Sequence, residues 1–289
     1  MTNEFLQISL DEEKFPLRLK EIPDPPAILY YRGVPPMSAP PHIAIVGTRK
    51  ATAAGKEIAH RLAKDLAAAG AVIISGLAIG IDTAAHQGAL AAGGRTVAVL
   101  ANGLDNIYPT QNTRLAEEII KNGGTIISEY APGTPPYKTN FLARNRLVSG
   151  LSLGVIVVEA PFKSGALSTA SHALEQNRDV FVVPGPINQE NYAGAHSLLR
   201  AGARLITSAA EVLDDLNLAP APAAQPVDPP TGLDEKQKSI FGVLKKAGEP
   251  ISIDKIHNLT KMDVSAISRN LTMLLVRGMV KEEGGRYYL

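Results

Sequence analysis

Residues 43–100 read IAIVGTRKATAAGKEIAHRLAKDLAAAGAVIISGLAIGIDTAAHQGALAAGGRTVAVL. Short β-branched runs (IAIVG, AVIIS, RTVAVL) alternate here with ATAAGKEIAHRLAKDLAAAG and DTAAHQGALAAGG, whose alanines and leucines recur at helical spacing before a glycine stop. The reading is strand, turn, helix, repeated, with Asp82 expected to cap the second helix. The strands are apolar at nearly every position rather than at alternate ones, so both faces of their sheet must be covered by helices. The alternation continues through YPTQNTRLAEEIIKNGG, TIISE, FLARNRLVSGLS, LGVIVVEA, GALSTASHALEQNR, DVFVVPG, AGAHSLLRAGA and RLIT. A doubly wound α/β domain with a mostly parallel sheet, residues 42–216, is therefore expected.

Working outward, residues 1–41 are proline-rich (FPLRLKEIPDPPAILYYRGVPP) without helical periodicity, and read as a lead-in that packs on the α/β domain. After SAAEVLDDL, the text NLAPAPAAQPVDPPTG carries no apolar period, and 217–232 reads as an extended Ala/Pro linker. Residues 233–289 form a second unit: DEKQKSIFGVLKKAG, SIDKIHNL and VSAISRNLTMLLVRG as helices, then MVKEE and RYYL as a hairpin. Ser252 and Asp263 are the expected caps of its second and third helices, and Val264, Ile267, Leu271, Leu274 and Leu275 share the apolar face of the third. Three helices and a hairpin make a winged helix. Its exposed recognition face would carry Ser265, Ser268, Arg269 and Thr272, to meet duplex DNA in the major groove or, equally, a protein.

Composition excludes several chemistries. There is no cysteine, so no disulfide, thiolate nucleophile or Cys-bound zinc. The six histidines are scattered without ligand spacing, and neither a metal nor a cofactor is expected. No apolar run approaches the ~18 residues of a membrane helix and the first residues lack signal-peptide order, which implies a cytoplasmic protein without membrane contact. Net charge is only +1, so any attraction to an anion must come from local clusters: Arg49, Lys50 and Lys56, then Lys138, Arg144 and Arg146.

In a doubly wound sheet, ligands bind beyond the carboxyl ends of the strands. The turn Gly47-Thr48-Arg49 lies on that rim, but no G-x-G-x-x-G follows, and Arg49 stands where a dinucleotide site needs glycine. No P-loop and no G-x-S-x-G occurs. Asp82 and Glu159 are rim carboxylates that either pair catalytically or accept from loop amides. What is left is a groove with cations, helix N-termini and one ring. Arg49 and Lys138 are placed to neutralise phosphates, Ser164 and Gly165 to donate hydrogen bonds, and Phe141 to stack a base, which suits an unpaired strand. The alternative for Phe141 is a core position beside Leu142 and Leu147, and for Arg144 and Arg146 it is ion pairing with a carboxylate such as Glu159.

The segments IVGTR, SGLAIGIDTAAH, GLDNIYP, NFLARNRLVSGLS, VIVVEAPFKSGALSTA, VFVVPGPIN and GAHSLLRAGARLIT, in this order, closely resemble the DNA-processing protein A (DprA/Smf) family. The resemblance implies an extended Rossmann-like domain followed by a winged helix. It implies a homodimer that is not an enzyme, binds single-stranded DNA, protects it during natural transformation and loads the RecA recombinase. It assigns Gly47, Thr48 and Arg49 to the family's Gly-Ser-Arg-like turn and Lys138 and Phe141 to its Lys-x-x-Phe element. Arg144, Asn145 and Arg146 match its RNR segment, and Ser164-Gly165 its glycine turn. Thr48 replaces the commoner serine and Leu142 a common proline. Of the N-terminal helical module found in many members, only the trailing DPPAILYYRG-like segment (24–33) is expected here. Val212, Leu213 and Leu216 are the candidate dimer surface. A rival likeness is to nucleotide-processing enzymes of the lysine-decarboxylase-like Rossmann group, but their P-G-G-x-G-T-x-x-E turn reads APFKSGALSTA here.

Overall fold

The computed structural model describes residues 5–36, 40–218, 234–247, 251–276, 280–283 and 285–288. The chain divides into two units, Met1–Ala223 and Ala224–Leu289. The first is a three-layer α/β/α domain. Its elements are β1 (Leu6–Ser9), α1 (Leu17–Lys20), β2 (Ile28–Gly33), β3 (His42–Val46), α2 (Ala53–Ala68), β4 (Val72–Ser75), α3 (Ile81–Ala91) and β5 (Thr96–Val99). There follow α4 (Thr113–Lys121), β6 (Thr125–Ser128), α5 (Lys138–Gly150), β7 (Gly154–Val157), α6 (Gly165–Glu175), β8 (Asp179–Val182), α7 (Ala193–Arg200), β9 (Arg204–Leu205) and α8 (Ala209–Asp215).

The sheet order is β1-β2-β6-β5-β4-β3-β7-β8-β9. The seven strands from β3 onward are parallel, and β1 and β2 extend them antiparallel at one edge. This makes the fold the expected doubly wound one, with a difference at its start: the N-terminal segment does not merely pack on the sheet but is part of it. Tyr31 and Arg32 pair with Ile127 and Ile126, and Phe15, Leu19, Ile22 and Leu29 enter the core.

Period-two alternation sorts the strand residues between two cores. Ala44, Val46, Val155, Val157, Val180 and Val182 face α5 and α6. Ile43, Ile45, Ile156, Val158, Phe181 and Val183 face α2, α3 and α8. Val212 and Leu213 belong to this second core, at 0% and 6% exposure, with Leu216 packed against it. The dimer surface expected at these three residues is thus corrected: α8 turns its apolar side inward. Asp82 is corrected too. The cap position of α3 is Gly80, and Asp82 lies buried in the first turn.

The second unit comprises α9 (Glu235–Ala247), β10 (Ile251–Ser252), α10 (Ile253–Thr260), α11 (Val264–Val276), β11 (Lys281–Glu283) and β12 (Arg286–Tyr288). It is a winged helix whose sheet, ordered β10-β12-β11, gains a strand beyond the expected hairpin. Ser252 accepts from the Lys255 N–H, and Asp263 from those of Ser265 and Ala266, as caps. Ile267, Leu271 and Leu274 are buried in its core, whereas Val264 is exposed. Ser265, Ser268, Arg269 and Thr272 are all exposed on α11. Two of the hydroxyls are already engaged, Ser265 with Asp263 and Thr272 with the Ser268 carbonyl. The expected linker lies outside the described residues except for Asn217 and Leu218. Among the described residues no helix is long and apolar enough to cross a membrane.

Two core histidines set the domain's acid sensitivity. His86 donates from Nδ1 to Thr96 Oγ1 (2.7 Å), because that hydroxyl's own proton goes to the Ile73 carbonyl. Burial, then the Arg144 charge, lowers His86 to about 3. Burial, then Arg18 and Arg95, lowers His42 to about 4. The unfolded chain protonates both near the ordinary 6.5, so their contribution is fully present above that pH and is lost as pH falls below it. Urea unfolding between pH 7 and 5 should show stability declining by up to about 1.4 kcal/mol per pH unit for each histidine. A flat profile would contradict their neutral burial.

Candidate functional site

The strand order reverses between β3 and β7, and a cleft of about 660 Å³ opens at the carboxyl ends of these strands. Three segments build its walls. The turn after β3 supplies Gly47, Thr48 and Arg49. Helix α5 supplies Lys138, Phe141, Arg144 and Asn145. The start of α6 supplies Ser164 and Gly165. Arg146, expected with them, is elsewhere.

The first segment is held by Glu159, just past β7. Its carboxylate, fully buried, accepts from the Thr52 N–H (3.0 Å), the Thr52 hydroxyl (2.5 Å) and Asn191 Nδ2 (3.0 Å), while its carbonyl accepts from the Thr48 N–H (2.7 Å). Thr52 in turn caps α2, accepting from Gly55. Gly55 is required there, since any side chain would collide with the Glu159 carboxylate. Asn191 also donates to the Lys50 carbonyl. The turn carrying Arg49 is thereby fixed before any ligand arrives.

Helix α5 carries the second wall and the floor. Arg144 is 4% exposed; its guanidinium donates to the carbonyls of Gly76 and Val99, just past β4 and at the end of β5. Gly76 leaves the space that the guanidinium occupies. Asp82 lies beside it and accepts from the N–H groups of Gly76 and Ala78. Burial lowers Arg144 to about 10, against the pull of Asp82, so it stays cationic at neutral pH. Burial pushes Asp82 up, opposed first by Arg144. Arg144 is therefore a charged floor beneath the cleft, walled in by carbonyls, and not the surface contact expected of it. Arg146 points the other way. It pairs bidentately with Glu129 (2.8 and 2.6 Å) and with Asp24 (2.9 Å), so its ion pair is with these two and not with Glu159.

Phe141 is half-buried and does not sit in the core. Its ring has the Arg49 guanidinium 5.0 Å from its centroid and the Tyr108 ring at 5.6 Å, tilted by 58°. A flat ring braced on one side by a cation and on another by an aromatic is set in one orientation. Lys138 is exposed at the helix start. Across the cleft, Ser164 caps α6 by accepting from the Ala166 N–H (3.3 Å), and Asn145 Nδ2 donates to the Gly165 carbonyl (3.1 Å), stapling α5 to α6. The positive end of the 11-residue α6 thus borders the same cleft as Arg49 and Lys138.

Lys50, expected in the cation cluster with Arg49, lines the cleft, but sequence reasoning missed Tyr108, Leu142, Phe162 and Lys163, which also line it. All but Leu142 stand in loops, where no periodicity marks which side chain faces inward. The two rim carboxylates are both occupied by internal hydrogen bonds, as loop holders rather than as a facing pair.

Comparison with known proteins settles the relationship. The model of the DNA recombination-mediator protein A family matches residues 7–217, and that of the DprA winged helix domain matches residues 219–286. The chain belongs to the DprA/Smf family. The Synechocystis protein Smf is 37% identical over 314 residues, covering 96% of this chain and 78% of that one. The X-ray structure of DprA from Streptococcus pneumoniae is 42% identical with a TM-score of 0.70, over 73% of this chain and 74% of that chain. The structure of DprA from Helicobacter pylori, described for its single-stranded DNA binding mode, is 37% identical with a TM-score of 0.67, over 75% and 99%.

In this DprA/Smf chain Arg146 is a structural residue. Burial opposes its charge, but hydrogen bonds and charge from Glu129, then Asp24, hold it above the ordinary guanidinium value. Arg146→Met should cost ~2–3 kcal/mol by stranding Glu129, read as a lower urea midpoint; an unchanged midpoint would contradict this assignment.

Proposed function

We propose that the cleft binds single-stranded DNA, with Arg49 and Lys138 on phosphates, the start of α6 taking a further phosphate, and Phe141 stacking a base. The observation that carries the reading is the braced ring: Phe141 lies in the cleft between the Arg49 guanidinium and Tyr108 and is only half-buried, so one face can receive a base. Duplex DNA keeps its base faces stacked, which favours an unpaired strand. The Helicobacter pylori relative, described for single-strand binding, supports the same ligand.

On this reading the protein is a cytoplasmic, non-enzymatic mediator that protects incoming strands during transformation and passes them to the RecA recombinase. The engagement of Asp82 and Glu159 in internal hydrogen bonds supports binding rather than turnover. We also propose a homodimer, in which two clefts on one strand raise affinity through effective concentration. Its surface lies away from the inward side of α8.

Oligothymidine titrations at several salt concentrations test the cleft. Arg49→Ala and Lys138→Ala should each weaken binding and flatten the log Kd against log salt slope by ~0.7, the share of one phosphate on a single strand. Phe141→Ala should cost ~1–3 kcal/mol and Phe141→Trp little. Wild-type affinity and slope in all three alanine variants would contradict the assignment.

A further inference from the structure

The loop between β7 and α6 carries an aromatic that the reading above does not use. Phe162 is 66% exposed, lines the cleft, and among the described residues no ring packs on it. One exposed aromatic is commonplace on a protein surface. This one has three further features. The Ser164 N–H donates to the Pro161 carbonyl (3.1 Å), closing a tight turn with Phe162 and Lys163 as its two central residues. Lys163 has φ +66°, a left-handed conformation that glycine adopts freely and lysine does not. Leu142, 56% exposed, lines the same cleft from α5. A turn that keeps a strained lysine where glycine would be easier, with a phenylalanine beside it facing solvent, is held for what its side chains contact.

We propose that Phe162 is a second base platform, so that the cleft grips two nucleobases of one strand, one on Phe141 and one on Phe162, with Lys163 taking the phosphate beside the second. The chemistry of the lip matches that occupant. A nucleotide presents a flat apolar face and an anion together, and Phe162 and Leu142 supply apolar surface while Lys163 and Lys50 supply charge. The inference rests on the single-strand reading of the cleft and extends it: the site measures a short run of strand and not one nucleotide.

The chain contains no tryptophan, which makes Phe162→Trp a unique reporter. Its fluorescence should be quenched when oligothymidine binds, because stacking on a base places the indole against it. Phe162→Ala should weaken oligothymidine binding about fivefold or more, the low end of one base stack, with an unchanged melting temperature given its exposure. Lys163→Gly should move two readouts in opposite directions, raising the melting temperature as the turn relaxes and weakening binding as the charge is lost. The second platform is overturned if Phe141→Ala weakens binding while Phe162→Ala binds like wild type, or if the tryptophan signal does not respond, or if Lys163→Gly gains stability at full affinity. Each of those results leaves the cleft itself standing. Absence of oligothymidine binding by the wild-type protein would instead remove the single-strand reading and this inference with it.

Discussion

A guanidinium buried under the cleft is the constraint on which the site depends. Helix α5 lies in the connection that crosses from β6, on one side of the sheet, to β7 on the other. Arg144 pins it by donating to carbonyls at the ends of β4 and β5, with Asp82 beside it and the side-chain-free Gly76 making room. A buried cation is expensive unless carbonyls and a carboxyl receive it. Here the carbonyls are ones that the ends of parallel strands leave free. Once α5 is fixed, Lys138, Phe141 and Asn145 fall on the cleft side of the helix, and Asn145 reaches the start of α6.

The opposite wall uses the reverse polarity. Glu159 gathers Thr52, Asn191 and the Thr48 N–H around one buried carboxylate, and so sets the turn that aims Arg49 at Phe141. Both devices act before a ligand binds. On the proposed reading, a strand entering the cleft would meet cations, helix N-termini and a ring whose positions are already fixed, so little ordering cost would fall on the protein. The weak net charge is consistent with this, since local geometry rather than a global field selects the anion.

Much of this was legible in the sequence, for physical reasons. Uniformly apolar strands cannot belong to a one-sided sheet, so the layers and the rim followed from the alternation of strand and helix. The edge strands β1 and β2 were not legible: LQIS has two polar residues in four, and ILYYRG, between Pro26 and Pro35, mixes polar and apolar residues, so neither carries the uniformly apolar signal of the inner strands. The ion-pair alternative holds for Arg146, with Glu129 and Asp24 in place of Glu159; the reading that put both arginines in the groove took residue type without angle. Two positions along a helix are separated by about 200°, so the two arginines had to diverge, one to the strand ends and one to Glu129 and Asp24. The same geometry keeps Lys138, Phe141 and Asn145 together. Val212 and Leu213 failed as a dimer surface because an apolar side on a short helix does not state whether it faces a partner or its own core. Loop residues such as Tyr108 have no period at all, and only coordinates bring them to the site.

The most direct test of the central claim is a crystal structure of the chain with a short oligothymidine. The account predicts a thymine stacked on the free face of Phe141, phosphates on Arg49 and Lys138, and a further phosphate at the start of α6, with Arg144 unmoved beneath. A strand bound away from the β3–β7 switch, or one whose phosphates meet Arg146 while Phe141 stays bare, would contradict it.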